Sequence, residues 1–370
     1  MTNRKAMNPL IEKAALKPYN LTHGEIVSLL ALEDTAELFA AAYELKCRHV
    51  GKVVSLRGLI EFSNQCSKNC YYCGIRRGNT LVKRYHLSED DVVRMARWSF
   101  EQGYGSVVLQ SGELESEANT AFVERVLKRI REFGGDEFGV TLSLGEQTKE
   151  VYRRWFEAGA HRYLLRIESS VPALYASLHP ADHSHARRTE CLRVLKKLGY
   201  QTGSGVMSGL PGQTLDDLAH DIEFYHALDL DMIGMGPYIP HTETPLGKDI
   251  EFTPEYAKRQ LALALKMIAV TRLYLHDVNI AATTALQALD ERGREQGLLA
   301  GANVMMPNVT DTEYRQSYRL YENKPCLDEN SAKCRNCLKW RVLSIGETIN
   351  WGHRGDSPHC RGKTVKKGYL

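Results

Sequence analysis

Apolar residues recur along this chain in two alternating rhythms. In the first 50 residues, LTHGEIVSLLAL and TAELFAAAYELKCRHV place them three and four apart, which predicts amphipathic helices. VVSLRGLIEF (53–62) then switches to a β-rich run. SEDDVVRMARWSFEQG (88–103) predicts a helix that opens on Ser88 as N-cap and closes at Gly103. Short apolar runs follow at 106–110, 138–144, 161–168, 200–210, 231–237, 278–285 and 302–307. Helical patterns separate them at 117–133, 147–158, 184–198, 214–228, 254–274 and 286–297. Strands apolar on both faces suit a parallel sheet, and eight strand–helix units in about 255 residues suit a closed barrel. The expected fold is therefore α/β. A (β/α)8 barrel of TIM type spans 51–310, with an N-terminal helical extension (1–50) and a cysteine-containing C-terminal segment (311–370).

Composition narrows the class without naming a chemistry. Of 370 residues, 43% are hydrophobic and 25% charged, near the globular average, and the net charge of +3 predicts neither a nucleic-acid nor an anionic-membrane surface. No run of apolar residues is long enough to span a membrane, and MTNRKAMNPLIEKAALKPYN has no apolar secretory core. Nine cysteines without a signal argue for metal binding in a reducing compartment, so a cytoplasmic location is expected.

Barrel enzymes build their sites from strand C-terminal ends and the loops that follow. Six of the eight predicted strands end in polar groups. They include Gln110-Ser111-Gly112-Glu113, then Thr141, Ser143 and Glu146, then Arg166 and Glu168, the segment Gly205 to Gln213, and Thr283-Thr284. The first strand ends in EFSNQCSKNCYYCGIRR, where Cys66, Cys70 and Cys73 are spaced Cys-x3-Cys-x2-Cys and Tyr72 precedes the last. Three thiolates can hold three irons of a four-iron cluster and leave the fourth iron open. The bland alternative is a zinc loop completed by a distant ligand. A second group, Cys326, Cys334 and Cys337, sits in the C-terminal segment, with His353, His359 and Cys360 as candidate fourth ligands. An iron–sulfur cluster, zinc or plain thiols all suit that spacing. Cys47 and Cys191 fall on helices and read as buried thiols.

The run IEFSNQCSKNCYYCGIRR, followed in order by LQSGE, TLSLGE, RYLLRIE, GLPGQT, DMIGMGPYIPHTETPL, IAATTAL and GANVMMPN, resembles the HydE family, radical S-adenosylmethionine (SAM) maturases of [FeFe]-hydrogenase. The resemblance implies a [4Fe–4S] cluster on Cys66, Cys70 and Cys73, with the open iron chelating SAM. It implies SAM contacts from Tyr72, Ser111, Gly112, Glu113, Arg166, Glu168 and Arg187. Ile167 stands where some family members carry His, on the face turned from the site. It implies a substrate cavity beneath SAM, lined by Thr141, Met232, Thr283, Thr284 and Tyr314, with Tyr318 a further candidate. Cys326, Cys334 and Cys337 resemble the auxiliary iron–sulfur site of some members. The implied activity is reductive SAM cleavage to a 5′-deoxyadenosyl radical that processes a small iron complex bearing cysteine, CO and cyanide. The implied partners are the maturases HydG and HydF and a flavodoxin- or ferredoxin-type electron donor. A methylornithine synthase-like or biotin synthase-like enzyme, or a non-catalytic iron–sulfur scaffold, are the competing readings.

Overall fold

β1 (Val53–Ser63) is buried along nearly its whole length because strands flank it on both edges. The computed structural model describes residues 8–328 and 331–367. After β1 come β2 (Ser106–Ser111), β3 (Gly139–Ser143), β4 (Arg162–Leu164), β5 (Gln201–Ser204), β6 (Met207–Ser208), β7 (Met232–Ile233), β8 (Gly236–Pro237), β9 (Asn279–Ile280), β10 (Val304–Met305) and β11 (Thr348–Ile349). The main sheet runs β10-β1-β2-β3-β4-β5-β7-β9, all parallel. Its two ends meet: Ala281 bridges Val304, and the Asn303 N–H donates to the Ile280 carbonyl. The result is a closed barrel with helices outside, the expected (β/α)8 architecture.

Several helices start where a side chain can satisfy their first N–H groups. Ser88 caps Glu89–Glu101, Thr148 caps Lys149–Glu157, and Thr214 with Asp217 forms a reciprocal cap on Leu215–Ala227. The expected helix over 286–297 is instead two, Thr284–Leu289 and Gly293–Leu299. Gly293 packs against the Leu286 carbonyl, where a Cβ would lie 2.0 Å from that oxygen. The later strands are also shorter than their apolar runs. The chain leaves the ladder after Leu164, and Glu168 takes a left-handed φ of 65°. The extensions of two runs form a separate upper ribbon, β6 on β8.

The N-terminal helices Pro9–Leu16, His23–Leu30 and Ala36–His49 pack on the barrel's long helix Pro254–Leu275 and on Leu215–Ala227. The C-terminal segment is stitched to the barrel rather than appended to it. It adds helix Ser331–Ser344, then β11 paired to the start of β1, then helix Pro358–Lys367. Between the last two elements the chain plugs the lower mouth of the barrel. Asp356 accepts from Arg162 (2.6 Å) and Gln201 (2.7 Å), and the Gly355 carbonyl accepts from Asn279 (3.0 Å) and Arg57 (3.4 Å). Arg162 is fully buried, so Asp356 supplies the counter-charge that its burial requires.

His359 fastens the final helix below the barrel, 2.7 Å from Asp229 and 3.0 Å from Asp277. Burial alone would lower its pKa, but hydrogen bonds to the two carboxylates raise it to about 9. A histidine raised from an unfolded value of about 6.5 contributes its full stability below that pH and loses it as pH rises through the folded value. Thermal unfolding midpoints should therefore fall between about pH 6.5 and pH 9. His359→Gln should flatten that slope and cost on the order of 2 kcal/mol at pH 6, discounted because Asp229 is half exposed.

Candidate active site

Cys66, Cys70 and Cys73 lie on the long loop that leaves the upper end of β1. Arg84 holds that loop in shape by donating to the carbonyls of Asn64, Ile75, Arg76 and Asn79. Ser67 ties it to β2's loop through two bonds to the Glu113 carbonyl, 2.8 and 2.9 Å. Gly74 ties it to the C-terminal segment through the Leu320 carbonyl. Gly112 lies so close beneath it that a Cβ would sit 2.2 Å from the Gln65 carbonyl and 2.7 Å from the Cys66 Cβ. The residue type is therefore imposed by contact with the cysteine loop.

The loop roofs a cavity of about 300 Å³ at the barrel's upper end. All three cysteines and Tyr72 line it, as do Ser111, Gly112 and Glu113 from the end of β2. Arg166 and Glu168 line it from beyond β4, joined by a 2.9 Å ion pair. Thr283 and Thr284 close the far side, with Thr284 2.9 Å from the Tyr321 hydroxyl and the buried Thr283 hydroxyl left without a partner. Ile167 is buried away from the cavity, its N–H donating to Ser204.

Four expected residues stand elsewhere. Arg187 projects outward, half exposed, and pairs with Glu115 (2.5 Å) and Glu146 (3.1 Å). The next residue, Arg188, turns inward and lines the cavity. One step along a helix rotates a side chain by about 100°, and adjacent arginines give the sequence no means to choose between them. Thr141 and Met232 line a smaller void of about 20 Å³ lower in the barrel, whose wall shares Leu164, Gly234 and Met306 with the main cavity. Tyr314 packs on Tyr85 outside the lining, 5.1 Å between ring centres, while Tyr318 and Tyr321 are in it.

Several lining residues had no sequence signal. Arg188 lies 2.6 Å from Glu146 and 3.7 Å from Glu113, and Lys68 lies 3.1 Å from Glu113. Burial raises the Glu113 pKa, more than Arg188 lowers it. For Glu146 the balance reverses: burial raises it, but Arg188 and Lys68 outweigh that and hold it ionised. Gly145 sits against Glu113 at φ 75°, where a Cβ would meet the carboxylate at 2.1 Å. Across the cavity, Lys324 from the C-terminal segment reaches the buried Glu61 at 2.5 Å. A lysine 14 residues beyond the expected barrel boundary had no pattern to mark it.

Burial raises the Cys70 pKa to about 12, and raises those of Cys66 and Cys73 too. Thiols held neutral this way become thiolates when a bound cation replaces their protons. Three such groups on one cavity wall, beside a glycine-bared backbone, fit a metal cluster with an open coordination position.

The tail cysteines also converge. Cys326, Cys334 and Cys337 line a separate pocket of about 190 Å³ together with Arg294 and Arg341, sharing no residue with the main cavity. The candidate fourth ligands do not join them. His359 and Cys360 lie on the final helix below the barrel and His353 just before the plug.

Comparison with known proteins agrees with this geometry. The radical SAM superfamily pattern matches residues 60–225. The [FeFe] hydrogenase maturase subunit HydE of Thermotoga maritima is 45% identical over 359 residues, 96% of this chain and 98% of that protein. The chain belongs to the HydE family. It is accordingly a radical SAM enzyme, of a superfamily that works with a [4Fe–4S] cluster and SAM. Solved structures support the fold. Methylornithine synthase (PylB) superposes with a TM-score of 0.80 at 22% identity, covering 96% of this chain and 99% of that one. The maturase HydG of Carboxydothermus hydrogenoformans gives 0.75 at 21%, covering 92% and 78%. No helix among the described residues is long and apolar enough to cross a membrane.

Three substitutions probe this HydE site. Gly112→Ala should displace the cysteine loop through its backbone contact, so iron per chain after anaerobic reconstitution should drop, with a destabilisation of about 1–3 kcal/mol in thermal unfolding. Arg188→Ala strands two buried carboxylates and should destabilise by about 3 kcal/mol while weakening SAM binding. Arg187→Ala, on the half-exposed face, should stay within about 0.5 kcal/mol in thermal unfolding.

Proposed function

We propose that Cys66, Cys70 and Cys73 are the cluster ligands of a SAM-cleaving site, and that the cleavage product acts on a small iron complex bearing cysteine, CO and cyanide during [FeFe]-hydrogenase assembly. The observation that carries this reading is the single cavity reaching from the three cysteines to Thr283, Thr284 and Tyr321. A cluster held there by the three cysteines would supply the electron for reductive cleavage of SAM. The chain's own residues do the positioning. The Glu113 carboxylate, beside the cysteine loop, suits the SAM ammonium, and Arg188 and Lys68 offset the charge of the SAM carboxylate. Tyr72 covers the cysteine loop, its hydroxyl 3.5 Å from His179. Glu168, held by Arg166, offers acceptors for ribose hydroxyls.

The far wall suits an anionic, metal-centred substrate. The Thr283 and Thr284 hydroxyls and the Lys324 ammonium offer donors, and Leu164, Met306 and Tyr318 are apolar. Such enclosure limits side reactions of a radical. The substrate would come from HydG, with HydF further along the assembly route, and a flavodoxin- or ferredoxin-type donor would supply electrons. The pocket of Cys326, Cys334 and Cys337 would hold an accessory iron–sulfur cluster apart from the chemistry.

The decisive experiment is anaerobic reconstitution followed by assay of 5′-deoxyadenosine and methionine, with and without the iron complex. Cys70→Ala should abolish cleavage, since two thiolates are too few to hold the cluster. Near-normal cleavage in that variant, at full iron loading, would refute the assignment. Replacing Cys326, Cys334 and Cys337 together should lower iron content and leave most SAM cleavage intact. Complete loss of cleavage, with the first cluster and fold retained, would give the tail a catalytic part.

A further inference from the structure

Away from the cavity, two histidines and two carboxylates meet where the N-terminal extension touches the barrel. His23 opens helix His23–Leu30, while Asp216, His220 and Glu223 share one face of helix Leu215–Ala227, spaced four and three apart. The two imidazoles lie 4.4 Å apart, centre to centre. Glu223 Oε2 sits 3.0 Å from His23 Nδ1 and 3.6 Å from His220 Nδ1. One ligand atom from each of the three residues lies within 4.8 Å of the others. Nitrogen and oxygen ligands of a tetrahedral metal, each about 2.0–2.2 Å from it, stand roughly 3.3–3.6 Å apart. The observed separations bracket that spacing.

From this arrangement we propose a divalent transition-metal site, with His23, His220 and Glu223 as ligands and solvent in the fourth position. A second observation points the same way. On the opposite side of both rings, Asp216 places one oxygen 2.7 Å from His23 Nε2 and the other 3.6 Å from His220 Nε2. Ligating histidines usually donate their remaining ring N–H to a carboxylate, which fixes the tautomer and raises ligand basicity. Asp216 does this for the His23 ring and lies within ion-pair distance of the His220 ring. Two imidazoles and one carboxylate favour zinc, nickel, cobalt or copper over magnesium or calcium. A bound ion would clasp helix His23–Leu30 to helix Leu215–Ala227, joining residues about 200 positions apart in the chain.

The site lies outside the cluster chemistry, so its test does not depend on SAM cleavage. The full chain, reconstituted anaerobically so that its cysteine sites are filled, is dialysed against Ni2+ and then Zn2+, and bound metal is counted. The wild type should hold one equivalent more than His23→Ala or His220→Ala. Asp216→Asn should weaken that equivalent by about 10–100-fold. Cu2+ in the same site should show spin-resonance coupling to two nitrogens, and to one after His220→Ala. Equal uptake by wild type and His220→Ala overturns the proposal. So does uptake lost with His220 but indifferent to His23, which would mark an isolated surface histidine. Each histidine is partly exposed, and unchanged circular dichroism in the variants separates lost ligands from lost fold.

Discussion

The upper half of the barrel depends on a charge balance struck in a dry place. Glu113 and Glu146 are almost wholly buried, and Arg188 and Lys68 lie between and above them. Removing Arg188 leaves two desolvated carboxylates short of compensation, at a cost of several kcal/mol. The quartet also sets the shape of the site. Lys68 belongs to the cysteine loop, Glu113 to the turn after β2, Glu146 to the turn after β3 and Arg188 to a helix after β4. Four successive units of the barrel are thereby locked together beneath the loop that carries Cys66, Cys70 and Cys73.

That interlock explains why glycines cluster around it. Gly112 and Gly145 each leave a gap that a neighbour fills: the cysteine-loop backbone in the first case, the Glu113 carboxylate in the second. A side chain at either place would push apart groups whose energy depends on being close. Backbone strain is placed there too, with Glu168 held at a left-handed φ while its carboxylate pairs with Arg166.

Much of the fold was legible because apolar periodicity changes sharply at each strand and several helix starts carry a capping residue. Ser88 marked its helix to the residue, and Thr148 and Thr214 prove to cap two more. The strand ends after β3 were less legible. Apolar runs continued past the point where barrel pairing stops, since the segments beyond Ser204 and Ile233 pair with each other as the upper ribbon and the segment beyond Leu164 bridges to Val206. In the site, the cysteines, Gly112, Glu113, Glu168, Thr283 and Thr284 were readable from motif and position. Arg188 was not, because Arg187 beside it has the same chemistry and only the helix phase separates them. Lys324 and the plug at Gly355–Asp356 were invisible for a different reason: they act through contacts with residues 76 to 298 positions away, which no local pattern records.

The plug has a consequence in time as well as in space. Arg57 and Arg162 stand in the barrel's lower mouth, and the groups that receive them, Gly355 and Asp356, follow every barrel strand in the chain. During synthesis the strands emerge first and must wait with two guanidinium groups facing an unfilled mouth. An interior that holds such cations stays wet until its last cap docks. Closure of the lower mouth therefore waits on some of the last residues of the chain to be made.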